Sequence, residues 1–160
     1  HEYHRGIRRV RRLFAQTTLP LLVNEGRSID VDGTSLYIAA ADDPRYLNSP
    51  ESHAYLRSSV ERAMDGVPAG SFSLLLSHRP QALDYAAPLG TNLTLAGHTH
   101  GFQLGLGGRS LFDSLLPGRY IWGRYRRGTS QLYTTSGLGH WLPFRLGCPA
   151  EAPLLVLHPA

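Results

Sequence analysis

Thr94-Leu95-Ala96-Gly97-His98-Thr99-His100-Gly101 is the stretch from which this chain is read. An apolar run ends in two histidines, spaced two apart and set between glycines. In an extended backbone residues i and i+2 point to the same side, so both imidazoles can face one point in space. The glycines permit a tight exit and a close backbone approach. That suits a metal site at a strand end, where neutral imidazole is a common ligand. Two loop histidines with no ligand would give the same local pattern.

A second segment sharpens the choice. Phe72-Ser73-Leu74-Leu75-Leu76-Ser77 reads as a short buried strand, and His78 follows it at once, before Arg79-Pro80. Open α/β sheets take ligands outside the carboxyl ends of their strands. His78 and the His98/His100 pair occupy the same kind of position. Three histidines at two strand ends favour a metal site over isolated, hydrogen-bonded structural histidines.

Leu-Leu-Leu-Ser-His-Arg-Pro followed by Leu-Ala-Gly-His-Thr-His-Gly resembles the last two motifs of the calcineurin-like metallophosphoesterases. His1-Glu2-Tyr3 is similar to the end of that family's Gly-Asn-His-Glu motif, cut after the Asn. Tyr133 to Gly139 and Pro143 to Gly147 are similar to a bacterial branch that is often membrane-associated or exported. The resemblance covers essentially the whole chain.

The resemblance implies two divalent metals, Mn, Fe, Zn or Co, bridged by an aspartate and a water or hydroxide. His78 and His98 match ligands of the second metal, and His100 a ligand of the first. His1 matches the histidine that protonates the leaving oxygen. Two metals about 3.5–4 Å apart would activate the hydroxide and neutralise phosphoryl oxygens during in-line attack. An imidazole near its natural pKa can donate a proton to the departing alkoxide. The family's Asp-x-His and Gly-Asp-x-x-Asp motifs, and its Asn before His1, are not in this sequence. The expectation is therefore the carboxyl-terminal part of a longer hydrolase. Alone it would bind metal weakly, with little or no activity.

Composition sets the frame. The 160 residues suit one domain over 1–160, with 42% hydrophobic and 18% charged residues. All 16 basic residues are Arg, and the net charge of +4 favours anionic substrates or surfaces. A lone cysteine, Cys148, excludes an intrachain disulfide and leaves the redox compartment open. It reads as a small structural side chain. No apolar stretch is long enough to span a membrane, and the compartment stays unassigned.

Along the chain, Gly6 to Gln16 predicts a helix whose arginines form a solvated face or, less simply, meet an anionic membrane surface. Leu21 to Glu25 suggests a strand. Arg27 to Val31 and Thr34 to Ala40 flank Asp32-Gly33, a strong hairpin signal. Asp42-Asp43-Pro44 reads as a turn, with a structural role near the site kept open by the resemblance. Ser49-Pro50-Glu51 starts a helix that should run to about Met64 and end at Asp65-Gly66. A short helix should follow Pro80, and Leu93 to Ala96 is the next strand. Phe102 to Gly108 reads as a loop near the site, and Ser110 to Gly118 could hold one helical turn. Tyr120 to Arg126 and Gln131 to Ser136 suggest a hairpin, and Ala152 to Leu157 a final strand.

The Arg- and Tyr-rich hairpin fits an edge strand protected from pairing better than a nucleic-acid platform. Arg79 and Arg145 are the candidate substrate-phosphate contacts, and His140 a candidate pocket residue. The fold implied by the resemblance is a layered α/β sandwich, two mixed sheets with helices outside and its first strands not present in this chain. The expected function is metal-dependent hydrolysis of a phosphoester, a diester or a lipid-linked phosphate. A non-catalytic metal- or anion-binding remnant is the first alternative. An Arg-rich nucleic-acid-binding module is the last.

Overall fold

The computed structural model describes residues 6–44 and 46–158. Helix α1 (Ile7–Phe14) leads to strands β1 (Glu25–Val31) and β2 (Thr34–Ala41). Helix α2 (Pro50–Met64), β3 (Phe72–Ser77), helix α3 (Ala82–Ala86) and β4 (Leu93–Ala96) follow. Two short strands, β5 (Gly105–Leu106) and β6 (Arg109–Ser110), precede β7 (Gly123–Arg127) and β8 (Ser130–Thr134).

Six strands form one mixed sheet in the order β1-β2-β3-β4-β8-β7. Its centre is parallel, β2 beside β3, β3 beside β4 and β4 beside β8, while the two outer pairs are antiparallel. The second sheet is the small antiparallel pair β5-β6. The layered α/β class expected from the sequence is the class observed; the second sheet is smaller than expected and not mixed.

Local chemistry accounts for the elements. Asp32 (φ 52°) and Gly33 (φ 80°) both lie in the left-handed region, as a two-residue hairpin requires, and Gly33 N donates to Asp30 Oδ1 at 3.1 Å. Ser49 caps α2: its hydroxyl accepts from Ser52 N at 3.3 Å, and Ser52 Oγ accepts from Ser49 N at 3.1 Å. Leu56, Val60, Ala63 and Met64 line the inner stripe of α2 and pack on Tyr37, Ala39 and Leu75 of the sheet and on Ala82 and Ala86 of α3. Tyr37 then donates its hydroxyl to Asp65 O at 2.9 Å, tying the helix end to β2.

The covered face of the sheet is thus Tyr37, Ala39, Ser73, Leu75, Thr94 and Leu132. The opposite face carries Ile38, Leu74, Leu93, Leu95 and Tyr133, all half-buried, and Leu76, which is 39% exposed.

Four expectations are corrected. Residues 21–24 are not a strand, because pairing with β2 begins at Glu25 opposite Ala40. Ser110 ends β6, and residues 111–118 form turns and a bend without a helix; Pro117 and Gly118 close the stretch early. The second hairpin begins at Gly123, since Ile121 and Trp122 are buried outside the ladder. Residues 152–157 are not a strand: Leu154 is 89% and Val156 65% exposed, and no described strand pairs with them. The edge position of the Arg-rich hairpin is confirmed, with β7 outermost. Tyr125 donates to Asp113 at 2.7 Å and Tyr120 to Asp84 at 2.8 Å, so two of its aromatics are tied into the fold.

Candidate metal centre

Parallel neighbours end on the same side of a sheet, and β3 pairs directly with β4. The residues after Ser77 and after Ala96 are therefore brought side by side. Gly97 N donates to His78 O at 3.2 Å, stitching the two exits together. Across this stitch His98 Nδ1 lies 3.0 Å from His78 Nε2, with the rings edge to face at 4.7 Å between centroids.

The backbone after β4 is not extended. His98 (φ 72°), His100 (φ 52°), Gly101 (φ 63°), Phe102 (φ 50°) and Gln103 (φ 59°) all adopt left-handed conformations. The same-side rule for residues two apart thus does not govern His98 and His100. His98 turns to His78, while His100 Nδ1 lies 3.2 Å from Gly139 O. Left-handed non-glycine residues cost of order 1 kcal/mol or more each and persist only where the surroundings hold them. Several contacts do so here. Thr99 donates its hydroxyl to Ile121 O at 2.5 Å. The wholly buried Gln103 accepts from Trp141 N (2.8 Å) and Leu142 N (2.7 Å) and donates to Leu142 O (3.0 Å) and Phe144 O (2.5 Å). A Cβ on Gly101 would come within 2.4 Å of Cys148 Sγ, so the buried cysteine fills the space under the turn. Burial raises the Cys148 thiol pKa, consistent with a packing role.

His98 stands beside a cation. Arg79 is buried, with Nε 2.5 Å from Asp43 Oδ1, Nη2 donating to Pro44 O at 3.1 Å, and Nη1 3.0 Å from His98 Nε2. Burial first, then Arg79 and the imidazoles of His78 and His100, push the His98 pKa down to about 4. Burial raises the Asp43 pKa, against the opposing pull of Arg79.

The remaining candidates are placed as follows. His1 lies outside the described residues. His140 is exposed. Arg145 directs its guanidinium at the carbonyls of Ser136 (2.9 Å), Gly137, Gly139, Cys148 and Pro149. A substrate phosphate would have to compete with those carbonyls for Arg145, and with Asp43 and Pro44 for Arg79.

Comparisons with known proteins agree on one identity. The chain is 32% identical over 128 residues to YkuE, an uncharacterized metallophosphoesterase of Bacillus subtilis, covering 79% of this chain and 42% of that protein. It is 30% identical over 161 residues to an uncharacterized metallophosphoesterase of Campylobacter jejuni, covering 98% of this chain and 40% of that one. It is 36% identical over 86 residues to the phosphodiesterase YaeI of Escherichia coli, covering 52% and 32%. The chain belongs to the calcineurin-like metallophosphoesterases. It spans about two-fifths of the length of the first two of these relatives. No family model matches it, and no solved structure matches it.

A metallophosphoesterase implies divalent ions, and the donors can be tested against them. With metal–nitrogen distances of about 2.0–2.1 Å, two ligands on one ion stand roughly 2.9–3.4 Å apart for angles between 90° and tetrahedral. The 3.0 Å between His78 Nε2 and His98 Nδ1 falls in that range. The pair fits as two ligands of one ion. Among the described residues, no group of three or more His, Cys, Asp or Glu side chains forms a complete cation cage.

Two residues around this candidate site carry weak or no signal in the sequence. Asp43, a turn residue for which the resemblance keeps a structural role near the site open, follows β2, the parallel neighbour of β3, and continuing that register sets it opposite Arg79. Gln103 had no signal, because a buried amide inside a glycine-rich run looks like exposed loop.

Proposed function

We propose that the intact protein is a metal-dependent phosphoester hydrolase acting on a phosphodiester or a lipid-linked phosphate. The observation that carries this reading is the pair of imidazole nitrogens, 3.0 Å apart, at the carboxyl ends of two adjacent parallel strands. His78 and His98 would hold one divalent ion and His100 its neighbour, with the remaining ligands supplied from outside the described residues. When bound, two such ions supply Lewis-acid neutralisation of phosphoryl oxygens and a water activated near neutral pH. The lowered pKa of His98 keeps its ring neutral at pH 7, the protonation state that a metal ligand requires. His1 would give a proton to the leaving oxygen. Manganese, iron, zinc and cobalt all suit such imidazole donors.

The phosphodiesterase name of one relative favours the diester. The exposed Trp141, Leu142 and Phe144 favour a substrate with an apolar part. They follow Gly139, whose carbonyl meets His100. The exposed arginines of α1 would suit an anionic membrane surface. The second reading is a metal-binding remnant without turnover, in which the His78–His98 pair holds an ion that serves no reaction.

The test uses bis(p-nitrophenyl) phosphate with the intact protein. His78→Ala and His98→Ala should each shed bound metal and lower kcat/KM by about a hundredfold or more. Wild-type metal content and rate in both variants would remove the assignment. Metal bound by the wild type without hydrolysis of any phosphodiester would establish the remnant.

A further inference from the structure

We propose that Arg79, anchored by Asp43, is a positioning residue that selects the tautomer of His98 and so holds down the cation affinity of the His78–His98 pair. The inference rests on the metal-site reading above and adds to it what sets the strength of that site.

A guanidinium carries five N–H donors and no acceptor. Arg79 Nη1 is 3.0 Å from His98 Nε2, so this nitrogen must present its lone pair. In a neutral imidazole the proton then sits on Nδ1. From there it is donated to His78 Nε2 at 3.0 Å. A ligating nitrogen needs its lone pair, and Nδ1 of this tautomer has none to give. Placing a cation between the rings requires the proton to pass from Nδ1 to Nε2. The ring keeps one proton throughout, but Nε2–H can no longer accept from Arg79. The Arg79–His98 hydrogen bond and a cation on Nδ1 therefore exclude each other.

Arg79 is poorly placed to step aside. It is 8% exposed, its Nε is held by Asp43 at 2.5 Å, and its Nη2 by Pro44 O at 3.1 Å. The Asp43 carboxylate thus acts on His98 through the guanidinium. A fixed positive charge beside the ring further opposes a second cation there.

The test pairs a titration with a spectroscopic readout on the full chain. Arg79→Met keeps an unbranched side chain and removes every donor. Calorimetric titration with zinc chloride should show affinity raised about tenfold over wild type, the scale of an outer partner of a metal-binding histidine. Imidazole 15N–1H correlation spectra of the chelator-treated protein should show His98 as the Nδ1–H form in wild type and shifted toward Nε2–H in Arg79→Met. Should Arg79→Met fail to fold, Arg79→Leu carries the test, with a shift in the same direction and a comparable gain in affinity. Unchanged or weaker zinc binding in the folded variant overturns the proposal, as does an Nε2–H ring in the wild type. Absence of zinc binding in wild type and both variants overturns the metal-site reading together with this one. Binding with unchanged affinity overturns this one alone.

Discussion

At the scale of single residues, His98 is the pivot. It leaves the ladder in a left-handed conformation, meets His78 through one nitrogen and Arg79 through the other. Its lowered pKa makes a pH prediction. The unfolded ring takes up its proton near 6.5 and the folded ring only near 4. Between those values the unfolded state binds more protons, so folding stability falls as pH drops through that window and is unaffected above it. Urea midpoints of the chelator-treated chain should therefore fall more steeply between pH 6.5 and pH 4.5 in wild type than in His98→Gln. Identical pH slopes in the two proteins would show that His98 is not desolvated as described. The imidazole motif itself was legible from residue types and spacing. The partners of each nitrogen were not, because Arg79 and Asp43 arrive from other strands.

At the scale of elements, the turn after β4 is held by side chains far away in sequence. Gln103 serves four backbone groups of residues 141, 142 and 144, and Arg145 gathers the carbonyls of 136–149 behind it. Gln103→Ala would remove four partly buried hydrogen bonds to this loop and empty a wholly buried position, at a cost of about 2–3 kcal/mol. Denaturant unfolding should show that loss, and amide exchange at 141–146 should accelerate ahead of the sheet. Exchange unchanged at those amides would mean that the loop is held by other contacts. Elements with strong local signals were read correctly from sequence: the Asp32-Gly33 hairpin, the Ser49-capped helix, and strands β3 and β4. Those without them were misread. The alternating apolar residues near the carboxyl end have the pattern of a strand, yet a strand needs a paired neighbour, and no described strand pairs with residues 152–157.

At the scale of the whole molecule, one face of the sheet is sealed by α2 and α3, and the other is apolar and only half covered. Leu76, Leu95, Ala40 and Ala41 line a shallow concavity there, with His78 at its rim. Such a face promotes association in water. Sedimentation velocity of the 160-residue chain should show concentration-dependent self-association, reduced by Leu76→Thr. A strictly monomeric wild type at high concentration would show that this face needs no cover.

The sequence alone determined the α/β class, the two His-bearing strand exits and the resemblance to metallophosphoesterases, because strand periodicity, caps, hairpin turns and motif spacing are local properties. Tertiary structure alone decided which nitrogens meet, that Arg79 is committed to Asp43 and His98, that Arg145 gathers loop carbonyls, and that His98 and His100 part company. Those outcomes depend on which strands lie side by side and on a left-handed turn held from outside. A contact between residues tens of positions apart follows from strand order and packing, which spacing along the chain does not encode.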